Sequence, residues 1–180
     1  MNPPILKTEK YLIRSFRRKD LHRFSDYRAQ ECVARYQSWS DYSYQEAVDL
    51  FESTDYSKFG AVGEWYQLAI TMLESDELVG DLAIHFIDEN QVELGFTVAP
   101  EYQGQGVATE SVSIFLNYLF TVLNKHRVIA TTDVENVASY KLLEKLGFRR
   151  EAHFVKNIYF KGAWGDEYQY ALLCSESKFT

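Results

Sequence analysis

Gln91-Val-Glu-Leu-Gly-Phe-Thr-Val-Ala-Pro-Glu-Tyr-Gln-Gly-Gln-Gly-Val-Ala-Thr-Glu110 reads as a strand, a sharp stop, a glycine loop and the opening of a helix. Val92, Leu94, Phe96 and Val98 fall on one face of an extended segment, with Glu93, Gly95 and Thr97 on the other. Pro100 ends the strand. Gly104 and Gly106 then bring bare backbone to the first turn of a helix, where unpaired N–H groups and the helix dipole suit a phosphate-like anion. A tight turn alone would also account for these glycines. A dinucleotide fingerprint fails, because Thr109 stands where its third glycine or alanine belongs, and the run has no G-K-[ST] of a phosphate loop.

A second informative stretch runs from Glu135 to Glu151: Glu-Asn-Val-Ala-Ser-Tyr-Lys-Leu-Leu-Glu-Lys-Leu-Gly-Phe-Arg-Arg-Glu. Asn136 is a good N-cap. Ala138, Leu142 and Leu146 share a helix stripe with Leu143 beside it, Gly147 is a natural stop, and Phe148 begins a new extended segment.

Together these stretches resemble the GNAT superfamily of N-acetyltransferases. Gln103-Gly-Gln-Gly106-Val-Ala108 is similar to its (Arg/Gln)-x-x-Gly-x-(Gly/Ala) loop, which follows a strand and holds the pyrophosphate of acetyl-CoA by backbone N–H groups. Asn136 to Phe148 resembles its Asn-x-x-Ser…Glu-Lys-x-Gly-Phe segment, in particular that of the RimJ/RimL-type ribosomal-protein N-terminal acetyltransferases. Trp164-Gly-Asp166-Glu-Tyr168 resembles that branch's ending, with slightly shorter spacing. The likeness runs over about residues 8–174 and implies one acetyltransferase domain for residues 1–180. It also implies a mixed α/β (α+β) fold whose mostly antiparallel sheet, flanked by helices, has splayed central strands that admit the cofactor.

Composition is compatible with that reading. The chain has 180 residues, 46% of them hydrophobic, enough for a sizeable core and against disorder. No apolar run approaches the ~18 residues of a membrane span, and the N-terminus lacks a signal peptide's apolar core. Cys32 and Cys174 sit in no metal-type cluster, so no metal is expected and a reducing cytoplasm is the default. The net charge of −7 argues against nucleic acid and suits a cationic substrate, although mild acidity also serves solubility. The sequence does not set the oligomeric state; the resemblance allows a homodimer, common in the family.

Along the chain, residues 10–16 alternate as a strand, and a helix starts near Asp20. Residues 43–56 form a helix capped by Ser43, with Ala47, Leu50 and Phe51 as its buried stripe. Residues 65–73 and 78–87 are strands joined by a hairpin turn at 74–77. Strand 91–98, helix 105–123, strand 127–132, helix 137–146 and strands near 148–160 and 166–174 complete the order.

Acetyl transfer from a thioester to an amine needs a base for the amine, a donor for the thioester oxygen and, usefully, a proton for the leaving thiolate. Glu93 is the candidate base: it lies on the strand face opposite the apolar stripe, and the resemblance places a carboxylate at about this position. Its alternative role is a solvated or lysine-paired side chain. Asp81 and His85 are weaker candidates. The resemblance implies that backbone groups of Phe96, Thr97 and Val98 align the pantetheine arm, with an N–H at or near Val98 facing the oxyanion.

The resemblance implies that the loop residues Gln103, Gly104, Gln105, Gly106, Val107, Ala108 and Thr109 contact the diphosphate; Asn136, which can also cap its helix, is expected to meet an amide of the pantetheine arm, and Ser139 and Tyr140 are further expected CoA contacts. Lys141 and Lys145 are further phosphate candidates. Some family members carry an acidic tyrosine seven residues after the asparagine; here Leu143 stands there. Ser139, matching the RimJ/RimL pattern, is the candidate that meets the sulfur as a proton donor or as a contact, with Tyr140 the second choice.

The aromatic run Tyr36 to Tyr44, with Trp65 and Tyr66, either walls an acceptor groove or packs the core. Asp41, Glu46 and Glu64 either greet a positive acceptor or form a solvated face. The leading expectation is acetyl transfer to a protein or peptide α-amine, with a polyamine or aminoglycoside as the rival acceptor. A CoA-binding sensor without turnover is the competing class, kept open by Leu143. A phosphate-binding nucleotide domain is the weakest alternative.

Overall fold

The computed structural model describes residues 2–178. The strands are β1 (Leu6–Lys7), β2 (Tyr11–Ser15), β3 (Trp65–Met72), β4 (Leu78–Phe86), β5 (Gln91–Val98), β6 (Arg127–Asp133), β7 (Arg149–Phe160) and β8 (Ala163–Leu173). The α-helices are α1 (Leu21–Ala29), α2 (Glu31–Ala34), α3 (Tyr44–Ser53), α4 (Val107–Thr121) and α5 (Val137–Lys145). All strands join one sheet in the order β1-β2-β3-β4-β5-β6-β8-β7. Every neighbouring pair is antiparallel except β5–β6, which is parallel.

That exception shapes the molecule. β5 and β6 pair only at Gln91↔Arg127, Val92↔Val128 and Glu93↔Ile129. Beyond Glu93 the strands part, β5 continuing on β4 and β6 on β8. The sheet is therefore forked at its centre, as the expected splay requires. Gly80 lets β4 hug the outer limb of the fork. A Cβ there would lie 2.5 Å from the Thr97 carbonyl oxygen, so a larger residue would push β5 inward.

Strand alternation gives the sheet two faces. Leu82, Ile84, Val92, Leu94, Val128, Ala130, Tyr170 and Leu172 are buried in one cluster with Val112, Phe115, Leu116 and Leu119 of α4 and Leu143 of α5. Burying such side chains contributes about 1.5–3 kcal/mol each, which makes this layer the main source of stability. On the opposite face, Phe16, Leu21, Phe24, Tyr27 and Ala47 cover Ala69 and Leu78. Here α1 is latched by a buried carboxylate: Asp81 accepts from the Tyr27 hydroxyl and the Gln67 amide.

Local rules explain most boundaries. Ser43 caps α3 by accepting from the Glu46 N–H, and the Glu46 carboxylate accepts from the Ser43 N–H. The expected helix 105–123 starts two residues later, because Gly106 is its N-cap in the left-handed region with φ +86°. The last strand starts at Ala163 rather than residue 166. Lys161 and Gly162, with φ +53° and +79°, make a two-residue hairpin turn that lets β8 pair with β7 at once. β1 and α2 were not foreseen; segments so short show no periodicity.

Candidate functional site

The glycine loop delivers an unusual run of backbone donors. Pro100–Tyr102 forms one 3-10 turn, then Gly104 (φ +75°) and Gly106 (φ +86°) bend the chain into α4. The first intrahelical bond runs from the Glu110 N–H to the Gly106 carbonyl, at 2.9 Å. Among the described residues, the N–H groups of Gly104 through Thr109 have no hydrogen-bond partner. The loop is pinned from outside: the Tyr11 hydroxyl donates to the Gln105 carbonyl at 3.1 Å, and the Gln105 amide to the Glu101 carbonyl at 2.9 Å.

Beside these donors lies a cleft of about 600 Å³. One wall is Phe96, Thr97 and Val98 of β5; the loop and first turn of α4 contribute Gln103, Gly104, Gly106, Val107, Ala108 and Thr109. The opposite limb supplies Asn136, Ala138, Ser139, Leu142 and Lys145. Asn136 caps α5, its Oδ1 accepting the Ser139 N–H at 3.3 Å, and the Ser139 side chain enters no hydrogen bond among the described residues. Gln103 donates its side-chain amide to the Val98 carbonyl at 3.1 Å.

Most of the expected cofactor contacts therefore come together. Two do not line the cleft. Gln105 turns its amide back to Glu101, and Tyr140 packs against the ring of Tyr168 with centroids 5.7 Å apart. Lys145 lines the cleft and Lys141 does not. The cleft lining thus has one lysine beside five residues with unpartnered N–H groups, Gly104, Gly106, Val107, Ala108 and Thr109. Cys32, Val33, Tyr36, Gln37 and Tyr102 also line the cleft and were not foreseen there, apart from Tyr36 as part of the aromatic run. α2 brings the first two in, and no local pattern announces that placement.

Glu93 is the last β5 residue paired with β6, so it stands at the apex of the fork, on the face opposite Val92 and Leu94. Its carboxylate is 28% exposed and has no lysine partner among the described residues; its Oε2 lies 3.6 Å from His85 Nδ1. Asp81, by contrast, is committed to the α1 latch, and burial raises its pKa above the ordinary carboxylate value. Leu143 is fully inside the core.

The aromatic run divides. Trp39 and Tyr42 cage the buried Arg28 guanidinium at 4.2 and 5.0 Å, Tyr66 packs on Phe59 and Phe86, and Tyr44 stacks on His22. Tyr36 reaches the cleft, and Trp65 stacks on His85. Glu46 is spent on the α3 cap.

The sheet face around Glu93 stays open. Gln67, Ala83, His85, Gly95, Thr131 and Gln169, which share this face, all retain solvent access. Two further carboxylates on that face are engaged locally: Asp133 accepts the Glu135 N–H at 2.7 Å and Glu167 the Asn157 amide at 2.6 Å.

A model of the acetyltransferase (GNAT) domain family matches residues 10–149. Over 175 residues, 95% of this chain and 98% of the relative, the sequence is 31% identical to an uncharacterized N-acetyltransferase of Bacillus subtilis (strain 168), YnaD. The crystal structure of a GNAT-family acetyltransferase from Bacillus anthracis matches with a TM-score of 0.86 at 31% identity, covering 96% of this chain and 100% of that one. At 23% identity and a TM-score of 0.79, the fold is shared with spermidine N-acetyltransferase from Vibrio cholerae in complex with CoA and spermine; the match covers 94% of this chain and 98% of that one.

Proposed function

The chain belongs to the acetyltransferase (GNAT) family, and we propose that it moves an acetyl group from acetyl-CoA to the α-amine of a polypeptide. It is an acetyl-CoA-dependent acyltransferase. The observation that carries the site assignment is the run of unpartnered N–H groups, Gly104 to Thr109, beside a cleft walled by Phe96, Thr97 and Val98, the β5 residues beyond its last pairing with β6 at Glu93. In this reading those amides hold the diphosphate. Phe96 to Val98 line the pantetheine arm, with a β5 N–H toward the oxyanion, and Asn136 and Ser139 face the sulfur end. Acetyl-CoA supplies the activated thioester; the amine attacks it directly.

Glu93 takes the proton of the attacking nitrogen. A terminal amine, with a reference pKa near 7.7–8.0, is roughly a tenth neutral at pH 7, whereas a lysine near 10.4 is under ~0.1% neutral. One modest carboxylate therefore serves an α-amine. The open sheet face supports the same acceptor. Thr131 and Gln169 offer neutral hydrogen-bonding groups suited to a peptide backbone. The intact Asn136 and Ser139 pattern favours the RimJ/RimL-like branch. We place the enzyme in the cytoplasm, where Cys32 and Cys174 stay free thiols.

A thiol-release assay over N-terminal peptides, spermidine and aminoglycosides tests this. Release with peptides that carry a free α-amine supports the reading, and N-terminal blocking should abolish it. Faster release with spermidine would replace it by the small-amine reading. A second reading, a CoA sensor, is favoured by Leu143 standing where some family members place an acid. It gains ground if acetyl-CoA binds and no acceptor raises release above hydrolysis.

A further inference from the structure

Three side chains stand in register across three antiparallel strands: Trp65 of β3 opposite His85 of β4, and His85 opposite Glu93 of β5. The indole and imidazole stack with centroids 4.7 Å apart and planes 8° from parallel. Trp65 is nevertheless 53% exposed, which is high for a residue with so much apolar surface. His85 Nδ1 is fully buried and lacks a hydrogen-bond partner among the described residues. Its nearest ionic partner is Glu93 Oε2, at 3.6 Å. Nε2 has no hydrogen-bond partner among the described residues either and escapes burial, so it meets solvent.

A buried, unpartnered ring nitrogen is costly and calls for a reason. Here the missing bond is short by well under 1 Å, since N–H···O bonds fall at about 2.7–3.2 Å. Catalytic hydrogen bonds are often long before substrate binds and tighten in the complex. The exposed Trp65 ring fits the same purpose, because a flat stack fixes the plane of the imidazole.

We propose that His85 is a positioning residue for Glu93: its Nδ1–H donates to Oε2 when the acceptor enters, and so aims the other carboxylate oxygen at the acceptor nitrogen. Trp65 locks the imidazole for that bond. The inference rests on Glu93 as the base of the reading above. It adds a function for two residues that do not themselves line the cleft.

The test compares His85→Asn, whose amide nitrogen can stand near the Nδ1 position, with His85→Phe, which keeps a ring on Trp65 but no donor. Turnover with a peptide acceptor is measured beside acetyl-CoA affinity and thermal stability. His85→Phe should lower kcat about 10-fold, the scale of a general-base interaction partly lost, with KM for both substrates near wild type. His85→Asn should recover most of that loss. In the Glu93→Gln background, His85→Phe should change the rate less than about two-fold, because the shared interaction is already gone. Equal losses in His85→Asn and His85→Phe, or additive losses with Glu93→Gln, would overturn the proposal. A wild-type rate in Glu93→Gln alone would instead remove the base assignment on which it stands.

Discussion

Glu93 and Ile129 are the last residues that β5 and β6 share before the sheet forks. A carboxylate at that apex stands on the open sheet face, while the cleft is walled by the glycine loop and by Phe96, Thr97 and Val98. If Glu93 takes the amine proton, Glu93→Gln should slow turnover by about 100-fold near pH 7, within the range for general bases. The deficit should shrink by pH 9, where an α-amine is already mostly neutral. Steady-state rates of both proteins at the two pH values check this, and equal ratios would exclude Glu93 as base.

The backbone at Gly106 sets the direction of the donor run. A β-branched residue at φ +86° meets a strain of roughly 1–2 kcal/mol, so Gly106→Val should re-form the turn and scatter the N–H groups. Calorimetry should show at least a ~10-fold loss of acetyl-CoA affinity, which corresponds to ~1.4 kcal/mol. Gly80→Ala should weaken binding through the other wall, since its Cβ would strike the Thr97 carbonyl from behind.

Cys32 lines the cleft although it lies in neither sequence motif. It offers a nucleophile for an acyl-enzyme, which direct attack does not use. Cys32→Ser should keep turnover within about two-fold, and intact-protein mass spectrometry should find no acetyl adduct during the reaction. Acetyl-CoA should also protect Cys32 from a maleimide.

Asp76 ties the N-terminal strand and turn together: Arg14, Arg17 and Lys19 all reach its carboxylate. Burial alone would raise its pKa; the Lys19 and Arg14 hydrogen bonds win and hold it at about 2. A depressed pKa stabilises the fold fully above the unfolded value, near 3.8, and the contribution is lost as pH falls through about 2. Asp76→Asn should therefore cost about 1–2 kcal/mol at pH 7, discounted for partial exposure, and little at pH 2. Urea titrations at both pH values measure it, and an unchanged cost at pH 2 would contradict the linkage.

Where local periodicity was strong, the sequence was legible. The alternation of residues 91–98 marks β5, which lies there; Asn136 caps α5, and the glycine loop turns into α4 two residues after the expected start. What stayed hidden was set by pairing. The Trp65–His85–Glu93 row depends on the register of three strands, which no single segment encodes. Cys32 and Val33 enter the cleft because α1 is latched through Tyr27 to Asp81 across 54 residues of sequence. Tyr140 was placed by its neighbour Ser139, but one helical position rotates a side chain by ~100°, enough to turn it onto Tyr168.

The central claim is that main-chain amides hold the donor. A crystal structure of the protein with acetyl-CoA tests it most directly. The account predicts diphosphate oxygens within hydrogen-bond distance of N–H groups between Gly104 and Thr109, with the thioester inside the fork near Glu93. A diphosphate held elsewhere, by side chains and with those amides left unpaired, would contradict it.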